Sequence, residues 1–427
     1  MKIDYREEFT TPCSPENMKV VRVTGDESES HAIYLDKASW TPDSRTFVFL
    51  RQPDEKSGRP AGYWICDTED DFAIRPLCEF DKGLSPSSPD DGQSYDAVFS
   101  PLGEALYELT RKADQVEIVR IDVASGERRA VATAPLPLLS RGHHTLSADG
   151  QRLCMGNFLG DGKTEGAPWG AYIFELESGE HRVVEFGNGY RNMHCAYRPD
   201  PDPEHSHDLM LSATPPTLSD GSFLTPPDGS WRHENMPPDD GKGGAIVFVR
   251  DDGTHWRMLP TGRDPQMSNC HHVWRGKSGK VVVQTYWRFD GRWRSPLLEA
   301  EPVPIRNEEE LWLGIHHPDG SWIDLSRNLP RADSCHFGFD ASGRHLISDT
   351  DGYNTAAYSL VFCGTYVETT DGDPFLRARY LALPRTSWKG QPAHPHPYLS
   401  PDGRFGVIQS DFFGVPQVYV IFGHEYP

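Results

Sequence analysis

The chain repeats one short pattern of apolar and polar positions along its whole length. An apolar run leads into Ser/Thr–Pro–Asp–Gly, or a decayed form of it, and a second apolar run follows. Such self-similarity indicates a repeat architecture. Seven copies occur at spacings of roughly 45 to 80 residues, near Trp40, Phe99, His144, Tyr197, Trp274, Phe339 and Leu399.

Further alternating runs lie between the copies, and most of them fit two strands around a tight turn such as ASGE, ESGE, DDGT or PDGS. This is a hairpin signal. Two hairpins per repeat predict a four-stranded antiparallel blade, and seven blades predict an all-β, seven-bladed β-propeller. Helical periodicity is almost absent. Two stacked β-sandwiches are the alternative, which the regular spacing of the turns disfavours.

Closure of the ring needs a strand from the other end of the chain. The last repeat has about three strands before the chain ends, whereas Met18–Thr24 resembles a strand and has no blade of its own. We therefore expect this segment to form the outer strand of the last blade. The stretch 213–244, rich in Pro, Gly, Asp and Ser, predicts an inserted loop, either a lid or a plain insertion. Residues 1–427 are expected to form one propeller domain.

Charge and cysteine content restrict the partners. Asp and Glu number 63 against 42 Lys and Arg, a formal charge of −21, which disfavours nucleic acid and anionic membranes as partners. No apolar run approaches the length of a membrane span, and the acidic N-terminal stretch does not resemble a secretory signal. Eight cysteines without a CxxC pair indicate no disulfide framework. We expect a cytoplasmic protein, whose oligomeric state the sequence does not indicate.

Histidines recur at the starts of the predicted inner strands. The clearest case is QPAHPHPYLSPDG, where His394 and His396 are two residues apart and would share one face of a strand. Starts of inner strands converge at the mouth of a propeller's channel. The other histidines at this position are His143, His144, His194, His271, His272 and His336, each of which could also be structural.

An imidazole pair in this arrangement is suited to a divalent metal ion, and His336 and Gln391 could complete the ligand shell. Cys270 and Cys335, each next to a histidine, could ligate a softer ion such as zinc, although small packed side chains are their simpler role. No GxSxG, Walker A or GxGxxG motif occurs. No carboxylate pair stands out for glycoside hydrolysis.

The segment Thr386–Val420, TSWKGQPAHPHPYLSPDGRFGVIQSDFFGVPQVYV, resembles the C-terminal blade of the oligogalacturonate lyases, which are seven-bladed propellers. The resemblance implies metal ligation by His336, Gln391, His394 and His396. It also implies that His271, in HHVW, is the catalytic base. Mn²⁺ is then the first choice of ion, with Zn²⁺, Fe²⁺ and Ca²⁺ as alternatives.

The family carries an uronate-binding arginine near the position of Ala245 here. Lys242 or Arg250 could replace it, and we assign substrate binding to these two residues with His143 and His194. The expected activity is metal-assisted β-elimination on a uronate oligosaccharide, with His271, neutral near pH 7, taking the C5 proton. A non-catalytic, TolB-like binding propeller and a metal-dependent hydrolase or lactonase are the alternatives.

Overall fold

The computed structural model describes residues 3–25, 28–34, 38–54, 56–79, 97–112, 114–135, 139–159, 168–188, 194–213, 245–261, 267–289, 292–304, 322–327, 334–350, 359–370 and 372–427. Its strands, numbered β1 to β30 in chain order, form seven antiparallel sheets, which are the blades of a β-propeller. The predicted fold class is therefore confirmed. Of the predicted insertion at 213–244, only residue 213 belongs to the described part of the chain, as the last residue of a strand.

The first three blades contain four strands each. Blade 1 consists of β2 (Ser30–Ala32), β3 (Thr46–Arg51), β4 (Gly62–Asp67) and β5 (Ala73–Glu79). Blade 2 consists of β6 (Ala97–Phe99), β7 (Ala105–Lys112), β8 (Gln115–Asp122) and β9 (Arg128–Pro135). Blade 3 consists of β10 (Leu139–Leu146), β11 (Arg152–Phe158), β12 (Pro168–Glu175) and β13 (His181–Asn188).

Blades 4 and 5 each carry an extra short strand. Blade 4 consists of β14 (Cys195–Tyr197), β15 (Asp208–Ala213), β16 (Ala245–Arg250) and β17 (Arg257–Met258), extended by β22 (Val303–Pro304). Blade 5 consists of β18 (Met267–Trp274), β19 (Val281–Phe289), β21 (Leu297–Ala300) and β23 (Trp322–Asp324), with β20 (Arg292–Arg294) paired to β19.

The last two blades again have four strands. Blade 6 consists of β24 (Ser334–Phe339), β25 (His345–Thr350), β26 (Val361–Val367) and β27 (Phe375–Ala382). Blade 7 consists of β28 (Tyr398–Leu399), β29 (Phe405–Ser410), β30 (Gln417–Phe422) and β1 (Lys19–Arg22). Short 3-10 turns occur at Glu7–Phe9 and Gln391–Ala393. Among the described residues, no helix has the length and apolarity needed to cross a bilayer.

The ring closes as predicted, through a strand from the N-terminal end. Strand β1 pairs antiparallel with β30, from Lys19 opposite Phe422 to Arg22 opposite Tyr419. Val20 is buried in a cluster that includes Ile347 of blade 6 and Ile408 of blade 7. Full burial of one such side chain contributes about 1.5–3 kcal/mol, so β1 fastens the last blade by packing as well as by its ladder.

The repeated SPDG pattern is the turn that joins each inner strand to the second strand of its blade. In blade 7, the hydroxyl of Ser400 donates to Asp402 Oδ1 at 2.7 Å and accepts the N–H of Phe405 at 3.0 Å. Gly403 has φ +75°, a conformation that costs glycine little. These turns lie where the inner strands end. The residues that begin the inner strands therefore meet at the other end of the ring.

Candidate metal centre

Bulges shape the two inner strands that carry His271 and His336. In β18 the pairing with β19 shifts register between Asn269 and His272, and in β24 the pairing with β25 shifts between Ser334 and Phe337. Bulges redirect side chains and are frequent beside active sites. Here they leave His271 and His336 outside the regular ladder, each preceded by a cysteine.

His394 and His396 come together by a different route from the one that the sequence predicts. The segment before β28 is not a strand: it begins with the 3-10 turn Gln391–Ala393, and His396 has φ +42°. The prediction of two rings on one pleated face is therefore wrong in its geometry. A left-handed, non-glycine residue costs about 1–3 kcal/mol and persists where its surroundings enforce it. The Pro395 carbonyl, which accepts the N–H of Gln409 at 3.0 Å, helps to hold this turn.

Three buried histidines nevertheless converge on one point. The donor atoms that His336, His394 and His396 offer all lie within 4.8 Å of one another. The ring of His336 has its centroid 4.2 Å from that of His396 and 5.5 Å from that of His394. Trp388 packs on His394 at 4.5 Å and covers the cluster from one side. The structure thus brings together three of the four predicted metal ligands. The side chain of the fourth, Gln391, lies outside the described residues.

The same type of hydrogen bond orients a histidine in each of the last three blades. A buried polar residue on the second strand, 13 positions after the histidine, contacts its Nδ1 atom. The pairs are His271 with Gln284 at 2.7 Å, His336 with Asp349 at 2.9 Å and His396 with Gln409 at 3.2 Å. With Nδ1 engaged, Nε2 is the nitrogen that remains for a ligand or a proton.

Asp349 holds His336 by two hydrogen bonds. Oδ2 accepts from Nδ1–H at 2.9 Å, and Oδ1 accepts the backbone N–H of His336 at 2.7 Å. Carboxylate partners of this kind fix the tautomer of metal-binding histidines and raise their basicity. Burial, and then the rings of His396, His271 and His394, hold the pKa of His336 well below its usual value. The ring is therefore neutral at pH 7, the form that binds a metal.

His396 supplies the observation that tests whether a cation fits here. Gln409 accepts the N–H of Ala32 with Oε1 and donates its amide N–H to Nδ1 of His396. The Nε2 atom of His396 is buried and has no hydrogen-bond partner among the described residues. Burial, and then His394, His271 and His31, keep the pKa of this ring well below its usual value. A buried polar atom without a partner is costly, and a cation at Nε2 would remove that cost. The ring proton would then lie on Nδ1, which requires the Gln409 amide to turn its oxygen toward the ring. The donor set therefore fits a divalent metal ion.

His271 stands beside this cluster, with its ring centroid 4.6 Å from that of His336. The amide nitrogen of Gln284 donates to the Ser334 carbonyl at 2.6 Å, so Oε1 faces His271 and accepts its Nδ1–H. Burial lowers the pKa of His271, but Cys270 and the bond to Gln284 raise it by more, to about 9. A pKa of about 9 is at odds with the expectation of a neutral ring near pH 7, and a cation held nearby would lower it.

The residues assigned to substrate binding lie in different places. His194 stacks on Tyr34 at 5.5 Å, and Tyr34 contacts His396 at 5.3 Å, so Tyr34 links His194 to the histidine cluster. The side chain of His143 and all of Lys242 are outside the described residues. Arg250 pairs in register with Asp208, at the end of blade 4 away from His194, and donates to the Glu204 carbonyl at 2.5 Å. The structure does not bring it to the histidines.

Comparison with known proteins identifies solved structures with a similar fold. No protein-family profile and no curated protein sequence matches the chain. A crystal structure of oligogalacturonate lyase from Vibrio parahaemolyticus matches over 99% of this chain and 97% of its own, with a TM-score of 0.68 and 16% identity. The chain folds as the oligogalacturonate lyases do.

Another solved structure, an oligogalacturonate lyase in complex with manganese, matches over 98% of this chain and 96% of its own, with a TM-score of 0.65 and 18% identity. A TolB structure from Acinetobacter baumannii has a TM-score of 0.42 and 14% identity over 83% of this chain and 64% of its own, which is too low to support an inference. At these identities the likeness to the lyases establishes the fold. The chemistry has to be argued from the histidines.

Proposed function

We propose that this protein is a carbon–oxygen lyase that cleaves uronate-containing oligosaccharides by β-elimination. The observation that carries the proposal is the position of His271. Its Nδ1 is held by Gln284, and its ring lies 4.6 Å from that of His336, one of three converging metal-ligand candidates. A base next to a cation site is what the removal of a proton beside a carboxylate requires.

The uronate C5–H bond is acidic because it lies next to the C6 carboxylate, but breaking it places a second negative charge on that group. His336, His394 and His396, together with Gln391, would hold a divalent ion that neutralises this charge as a Lewis acid. His271 takes the C5 proton at Nε2. The C–H electron pair then forms the C4–C5 double bond, and the oxygen substituent leaves C4 with the electrons of its own bond. No water is consumed.

Substrate recognition in this proposal involves His194, whose ring stacks on Tyr34, which in turn contacts His396. His143 and Lys242 stay proposed contacts. Because the resemblance implies an arginine near the position that Ala245 occupies here, the proposed substrate class is uronate oligosaccharides in general, with pectic oligomers as the first test. Mn²⁺ is the first ion to supply, which the manganese complex of a similar structure supports. We expect the protein to be located in the cytoplasm.

The test is an absorbance assay for the unsaturated uronate product. Purified protein with Mn²⁺ is incubated with pectic, ulvan-type and glucuronan-type oligomers, and formation of the conjugated double bond is followed in the ultraviolet. Activity with one of them, lost on chelation and restored by metal, supports the proposal. Absence of product from all three with metal bound would refute it. Release of new reducing ends without the absorbance would instead indicate a metal-dependent hydrolase, and binding without turnover a non-catalytic propeller.

A further inference from the structure

The described residues contain two overlapping groups of metal-ligand atoms, not one. Besides His336, His394 and His396, the donor atoms of His271, Cys335 and His336 also lie within 4.8 Å of one another. The groups share His336, and Cys335 is as well buried as the histidine beside it. Each group has three ligands, but only the second contains a sulfur atom.

The hydrogen bonds determine which atoms face this second position. Asp349 engages Nδ1 of His336, and Gln284 engages Nδ1 of His271, so both rings offer Nε2. Sγ of Cys335 lies 3.9 Å from Nε2 of His336. A tetrahedral zinc ion, with Zn–S of about 2.3 Å and Zn–N of about 2.0 Å, sets such atoms about 3.5 Å apart. The Cys335–His336 pair is thus within a few tenths of an ångström of that spacing, and the donor atom of His271 lies within 4.8 Å of both.

We propose that His271, Cys335 and His336 form a second site, for a soft or borderline divalent ion such as Zn²⁺ or Co²⁺, that is mutually exclusive with an ion on the three histidines. Exclusion follows because Nε2 of His336 can bind one ion at a time. On binding, the Cys335 thiol releases its proton to solvent and ligates as the thiolate.

Ligand preference separates the two sites. Thiolate ligands select zinc and other soft ions, whereas Mn²⁺ has the weakest affinity of the series and favours oxygen donors over sulfur. The consequence for activity rests on the proposed function. An ion at the second site occupies the nitrogen of His271 that would take the C5 proton. Zn²⁺ is then an inhibitor and Mn²⁺ an activator of the same centre.

Cobalt spectroscopy tests the site without any assay of activity. The metal-free protein is titrated with Co²⁺, and the thiolate-to-cobalt charge-transfer band in the near ultraviolet is recorded, with a direct count of bound metal. We expect one ion per chain with the band present, and loss of the band in Cys335→Ser with at least a ~100-fold weaker Zn²⁺ affinity. Cys270→Ser is the matched control, because it changes the cysteine before His271 in the preceding blade and should keep the band.

Each outcome decides the proposal. Cobalt bound without the band, a band that survives Cys335→Ser but not Cys270→Ser, or two ions bound per chain would each overturn it. Should Cys335→Ser fold poorly, His271→Asn gives a second test, since it must also weaken Zn²⁺ binding while leaving Mn²⁺ binding intact. If a lyase activity is found, Zn²⁺ should inhibit the wild type and not Cys335→Ser. Failure to find a lyase activity would leave the cobalt result standing by itself.

Discussion

Asp349 is the residue whose replacement tests the metal centre most directly. Its two carboxylate oxygens accept two hydrogen bonds from His336, one from Nδ1–H and one from the backbone N–H, and its side chain is fully buried. In Asp349→Asn the side chain keeps its size, but one of its two acceptors becomes an N–H donor. Whichever way the amide turns, one donor of His336 then faces another donor.

The magnitude follows from these contacts. A buried donor left without an acceptor costs about 1–3 kcal/mol of folding stability. Loss of a carboxylate that orients a metal-binding histidine costs 10–100-fold in metal affinity, or about 1.4–2.8 kcal/mol. With free metal at 100 times the wild-type Kd, binding stabilises the wild type by about 2.7 kcal/mol, and a variant with 100-fold weaker affinity by only about 0.4 kcal/mol.

The assay is unfolding by denaturant with and without Mn²⁺, together with a calorimetric titration of the metal. Asp340→Asn is the matched control, because Asp340 accepts from Nδ1–H of His345 at 3.0 Å in the same blade, at the end away from the cluster. We expect both variants to lose stability and only Asp349→Asn to lose metal affinity. Equal Mn²⁺ affinity in Asp349→Asn and the wild type would refute the role given to this carboxylate.

Three further predictions concern the site, the pH response and the ring. His394→Ala should lose Mn²⁺ binding and turnover together, whereas His271→Ala should keep Mn²⁺ and lose turnover; near-normal rate in the latter would exclude His271 as the base. Burial, and then His345, lower the pKa of His424 to about 4. As the pH falls, the His424 imidazole is protonated in the unfolded chain before it is protonated in the folded one, so the free energy of unfolding should fall by up to about 3 kcal/mol between pH 7 and pH 4. His424→Asn should remove this contribution to the pH dependence of stability. An unchanged pH dependence would contradict the assignment. Val20→Ala should lower the free energy of unfolding by about 2 kcal/mol. Val183 lies on an outer strand and is 50% exposed, so Val183→Ala should change the free energy of unfolding by less than about 0.5 kcal/mol. Equal effects of the two substitutions would mean that β1 does not fasten the ring.

The fold could be predicted because its signals are local and repeated. Ser400, Asp402 and Gly403 form a turn from their own hydrogen bonds and backbone freedom, and seven such turns determine the number of blades. Strand β1 could be predicted by elimination, since it alternates like a strand and has no hairpin partner of its own.

The convergence of His336, His394 and His396 could be predicted from the sequence, but the local geometry that produces it could not. The histidines were visible, whereas the bulges in β18 and β24 are properties of strand pairing and do not appear in either strand alone. His396 adopts φ +42°, which local preference disfavours and tertiary contacts enforce. Gln284, Asp349 and Gln409 were missed, although their common spacing of 13 positions from a histidine is visible in the sequence once the pairing is known.

Because of that spacing, the residue 13 positions after the histidine, on the second strand of each of these blades, can determine the chemical character of the histidine. In blade 6 the position holds a carboxylate, which strengthens electron donation by the His336 ring and suits it to bind a cation. In blade 5 it holds an amide, which orients His271 without adding negative charge and leaves its Nε2 available for proton transfer. Under the proposed function, a metal ligand and a catalytic base would thus differ by one side chain at the same position of neighbouring blades. Exchanging Gln284 and Asp349 between neighbouring blades would exchange the character of the two imidazoles while the rest of the ring stays as it is.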